Sequence, residues 1–121
     1  MTRSARVQAL LTAFLALDAV KTVYPYQPKD IGALPAVAAG DRAGSAGEPD
    51  ESAFMLTTAT TVTFTVATPI GDRYAGSDAV LAALAPVYEA AGWAYVRDRQ
   101  VEAQWGDREV VVCTLFLSTT L

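Results

Sequence analysis

The sequence predicts an α+β domain in which a mixed or antiparallel four-stranded sheet carries two helices on one face, in the order α-β-β-α-β-β. Three observations lead there. Apolar residues recur with a helical period near the N-terminus and again between residues 77 and 92. Residues 54–66 alternate with the period of a strand, and residues 93–119 read as two strands meeting at Gly106 and Asp107. With 121 residues there is room for a single domain, 1–121, that buries roughly two thirds of its unfolded surface.

The first helix rests on Val7, Leu10, Leu11, Phe14, Leu15 and Leu17, which share one arc at about 100° per residue. A basic start followed by an apolar run also has the outline of a signal peptide. Thr12 and Asp18 interrupt that run and no small-x-small cleavage site follows, so a helix packed on a core is the preferred reading. "VYPYQPKDIGALPAV" has prolines at 25, 28 and 35, which end the helix and mark a connection. A strand is expected from about Leu34 to Ala39, then a loop, "GDRAGSAGEPDES", from Gly40 to Ser52. The Thr-rich strand follows, with Val62, Phe64 and Val66 on one parity and Thr61, Thr63 and Thr65 on the other, stopped by Pro69 and Gly71.

Ser77 is expected to cap the second helix, with Asp78 in its first turn and Gly92 as the left-handed C-terminal stop. Val80, Leu81, Leu84, Val87 and Tyr88 mark its apolar face, and Pro86 predicts a kink or a division before the last turn. In the closing hairpin a two-residue turn pairs Trp105 with Arg108, and a three-residue turn pairs it with Glu109. The second is preferred because it sets Val101 and Ala103 beside Val111, Cys113 and Leu115. Either way the last strand is apolar on both faces, so Val110, Val112 and Phe116 are expected to meet a second cover, another subunit.

Composition argues for assembly and against catalysis. Hydrophobic residues make up 52% and charged residues 18%, an apolar balance for a small chain with much surface. The net charge is −4 with no cluster of Lys and Arg, which is no footprint for gripping nucleic acid. There is no histidine to serve as a base or metal ligand, and the single cysteine, Cys113, sits in "VVVCTLFL" as a buried small hydrophobe. No cofactor, metal or disulfide is expected, and no apolar run approaches the roughly 20 residues of a membrane span. Asp98 and Glu102 read as solvated charges rather than a catalytic pair. The Gly40–Ser52 loop lacks the Gly-Lys-Ser/Thr of a phosphate cradle, and its Glu48, Asp50 and Glu51 would repel phosphate. A loop this long in a small domain is usually functional or disordered.

The order of features resembles the tail terminator (tail completion, head–tail joining) proteins of long-tailed bacteriophages over nearly the whole chain. The matching features are an N-terminal helix, a Pro-rich link, "LPAV" at 34–37, a long insertion, a Thr-rich strand ending in "TP", a helix ending in "AAGW" and a closing hairpin. Abundant alanine, and arginine in preference to lysine, also suit a phage or gene transfer agent of a GC-rich host. The resemblance implies a non-enzymatic virion protein at the head-proximal end of the tail. Its partners would be copies of itself in a hexameric ring, the tail tube protein and a head-completion or connector protein, with DNA passing through the lumen unbound. On that view the loop residues Asp41, Arg42, Glu48, Asp50 and Glu51 belong to the lumen or the tube contact, and Val110, Val112 and Phe116 to a subunit interface. Two alternatives remain: a connector or head-completion subunit of the neck, and a small ferredoxin-like ligand-binding module.

Overall fold

The computed structural model describes residues 3–40 and 59–120. Helix α1 (Arg3–Leu15) leads to strands β1 (Thr22–Tyr24), β2 (Ala36–Ala39) and β3 (Ala59–Pro69). A 3-10 turn (Ile70–Asp72) enters helix α2 (Arg73–Ala90), and strands β4 (Ala94–Trp105) and β5 (Arg108–Thr120) close the chain. The sheet has five strands in the order β1-β2-β3-β5-β4, parallel between β1 and β2 and antiparallel elsewhere. The α+β class and mixed sheet thus hold, while the strand count rises from four to five. The added strand is β1, within the segment expected to be only a connection. Three residues are too few to show a period, yet the Lys21 amide donates to the Pro35 carbonyl at 2.8 Å and fixes β1 beside β2.

The central pair is β3 with β5, registered from Ala59↔Thr120 to Pro69↔Val110. Its parity sends Val62, Phe64 and Val66, with Cys113, Leu115 and Leu117, to the side on which both helices pack. Leu10, Leu11 and Phe14 of α1 and Val80, Leu84 and Tyr88 of α2 complete that core. Phe64 lies edge-on to both Phe14 and Trp93, with ring centroids 6.1 and 6.0 Å apart. Such pairs add about 0.5–1.5 kcal/mol beyond the area they bury. Leu15, expected on this face, is instead 48% exposed, although its neighbour Phe14 in the same turn is fully buried.

Helix α2 begins four residues before its expected cap. Gly76 admits this start: a Cβ there would stand 2.6 Å from Asp72 Cβ one turn earlier. Ser77 is consequently inside the helix and fully buried, and Asp78 accepts a bond from Gln100 Nε2 at 2.7 Å. The helix continues through Pro86 to Ala90 as one element. It stops as the sequence indicates. Gly92 has φ +88°, its amide donates to the Glu89 carbonyl, and the Trp93 amide donates to the Tyr88 carbonyl at 2.8 Å, the paired bonds of a Schellman stop.

The hairpin takes the register that was not preferred. Trp105 pairs with Arg108 across a two-residue turn, and Gly106 at φ +65° suits its first position. Val101 and Ala103 therefore lie beside Val112 and Val110. Segregating apolar from polar residues could not select the register, because β5 is buried on both faces from Val110 to Leu117 and accepts either.

The second cover of β5 comes, in part, from this chain. On the face away from the helices, Ile31 and Leu34 pack with Ala36, Ala38, Ala67, Val110 and Val112. Trp105 anchors the arrangement, its indole N–H donating to the Pro28 carbonyl at 2.9 Å. Arg108 Nη1 reaches the Gly32 carbonyl at 2.6 Å, and the Gly32 amide donates to the Tyr24 hydroxyl at 2.8 Å. The Pro-rich link is thus a lid on the sheet, held at the hairpin turn.

Candidate interaction surface

The residues proposed from sequence divide into two groups. Asp41, Arg42, Glu48, Asp50 and Glu51 lie outside the described residues. Val110, Val112 and Phe116 are 0, 5 and 3% exposed within the single chain. They cannot present an open interface: Val110 and Val112 sit under Ile31 and Leu34, and the Arg97 guanidinium stands 4.4 Å from the centre of the Phe116 ring. The double apolarity of β5 reported burial, but not what does the burying.

Exposed chemistry concentrates instead on β4. Among the described residues β4 pairs only with β5, which makes it a sheet edge of twelve residues. An edge strand carries outward N–H and C=O groups ready to pair with another chain. Tyr95, Val96 and Val101 are 52, 39 and 46% exposed along it, and a bulge at Val96 interrupts the pairing between Tyr95 and Arg97. The bulge brings the Tyr95 hydroxyl to Asp98, to which it donates at 2.7 Å. That bond, more than burial, raises the Tyr95 hydroxyl from its ordinary 10.0 to about 12.

Past the bulge β4 alternates by face. Asp98, Gln100 and Glu102 point to the helix side, where Gln100 holds Asp78 and Glu102 pairs with Arg73. The Arg73–Glu102 pair is 69 and 41% exposed on its two side chains, so it orients α2 on β4 rather than adding much stability. Arg97, Arg99, Val101 and Ala103 occupy the other side. Asp98 and Glu102 are four residues apart on one strand, about 13 Å at the rise of β structure, which is too far for a shared proton. They have separate partners and separate tasks.

Elsewhere the chemistry is muted. Cys113 is fully buried, and that burial, with the nearby Asp98 charge adding to it, pushes its thiol up to about 12. It stays protonated near neutral pH and is no nucleophile there. Among the described residues no group of three or more Cys, Asp or Glu side chains is placed to hold a metal ion, and no helix is long and apolar enough to cross a membrane. The exposed edge was legible only as an oddity, an isolated Val101 in the polar run "RDRQVEAQ". No protein-family model matches the chain, and no curated protein matches it.

Proposed function

We propose that this chain is a structural subunit of a phage-like tail, a tail terminator that caps the tube and offers the joining surface to the head. The observation that carries the reading is where the resembling segments fall. "LPAV" leads into β2, the Thr-rich segment ending in "TP" is the central strand β3, and "AAGW" is the Schellman stop delivering Trp93 to the core. Residues that set strand order and helix length are those a shared fold would keep, whereas loops drift. The acidic balance, net −4, supports the same reading, because a lumen that passes DNA should not hold it. The mechanism is steric: a ring seated on the last tube ring denies the next tube subunit its site, and its opposite annular face receives the head.

The test is gold labelling of assembled particles with an antibody against this chain, viewed by negative stain. Label confined to the head-proximal end of the tail is expected, followed by capping of isolated tubes, which a connector subunit would not do. Label elsewhere, or on no particle, would sink the reading.

A further inference from the structure

We propose that two copies of this chain pair through β4, antiparallel about a two-fold axis at Val101, joining their sheets into one of ten strands. The inference concerns a contact of the free chain and is independent of the tail reading. Isologous contacts of this kind close on themselves and do not grow into fibres.

The edge itself supplies the argument. From Arg97 to Trp105 β4 is regular, without a proline or a further bulge, and among the described residues only β5 pairs with it, so a ladder on its outer side can run to nine residues. A two-fold axis normal to the sheet keeps the helices of both copies on one side and opposes only residues of equal parity. The axis must then pass at a residue, and charge selects which, since like charges directly opposite are destabilising. At Arg99 it opposes arginine to arginine, and at Gln100 it opposes Asp98 to Glu102. At Glu102 it opposes two carboxylates, and at Ala103 the ladder shortens to five residues before the turn.

At Val101 none of this occurs. Arg99 meets Ala103, Gln100 meets Glu102, Asp98 meets Gln104 and Arg97 meets Trp105, over the full nine residues. The one apolar side chain left 46% exposed in the middle of the edge then packs against its own copy. The alternative occupant, a segment of another protein added to the edge, has no such register to satisfy.

The test is sedimentation equilibrium of the full chain and of V101K, with circular dichroism to confirm an unchanged fold. Wild type is expected to form dimers, or an assembly of even subunit number. V101K, which sets two ammonium groups against each other on the axis, is expected to weaken the pairing about tenfold or more. A second readout fixes the register: with copper phenanthroline as oxidant, V101C should cross-link to its own copy faster than D107C at the hairpin turn. A wild type that stays monomeric at its highest soluble concentration, a V101K variant of unchanged mass, or V101C linking no faster than D107C overturns the proposal. None of these results bears on where gold label falls on particles, so the failure of one reading is distinguishable from failure of the other.

Discussion

On the helix side of the sheet, Phe64, Val66 and Leu115 interlock with residues from two helices, whereas on the other side Ala36, Ala38 and Ala67 lie beneath residues 25–35, a segment with no helix or strand. The first side is sealed by large side chains meeting large side chains. The second uses small sheet residues so that a thin irregular segment can lie close, and it recovers specificity through backbone carbonyls. Pro28 and Gly32 each offer theirs to a side chain at the hairpin turn, Trp105 and Arg108. Bulk holds one face and a few directed bonds hold the other.

That difference makes ranked predictions. Phe64→Ala should be the most damaging, removing a fully buried ring that touches both Phe14 and Trp93, at a cost of about 3–5 kcal/mol in chemical denaturation. Ile31→Ala should cost less, about 2 kcal/mol, because the residue retains 8% exposure and lies in a segment without helix or strand, which can settle into the space more readily than a helix. Equal losses at the two positions would mean that residues 25–35 are as much a core element as the helices.

Trp105→Phe sharpens the contrast by keeping an aromatic ring while removing the indole donor. It should cost about 1–2 kcal/mol, and amide exchange should quicken over residues 28–32 with little change in α1 or α2. Gly106 belongs to the same joint. Besides its φ of +65°, a Cβ there would come within 2.6 Å of Asp30 Oδ1, so the turn and the segment it touches constrain one residue together.

The two faces also differ in how far the sequence discloses them. Helical period in "VQALLTAF" and "VLAAL" exposes the faces of α1 and α2, and alternation exposes the inward residues of β3, because amphipathic elements write their burial as a repeat. A segment that covers a sheet without regular structure writes no repeat. Ile31 and Leu34 look like isolated apolar residues among prolines, and β1 is too short to signal itself. The hairpin register failed for a related reason: burial of β5 on both faces removes the asymmetry by which register is read. Of the candidate interface, sequence indicated the hairpin but chose its buried strand, β5, over its exposed one, β4.

The smallest effect probes that exposed strand through pH. Tyr95 is 52% exposed, and its hydroxyl, bonded to Asp98, titrates at about 12 instead of 10.0. A group raised in the folded state favours folding while it is protonated in both states, so the contribution is fully present below pH 10 and disappears as pH climbs through 12. Tyr95→Phe removes it. The stability difference between wild type and Tyr95→Phe should therefore be small and flat through neutral pH, then shrink toward zero between pH 10 and 12, as measured by denaturant titration. A difference that stays constant across that interval would separate the bulge geometry from the Asp98 bond, leaving Val96 alone to shape the start of the edge.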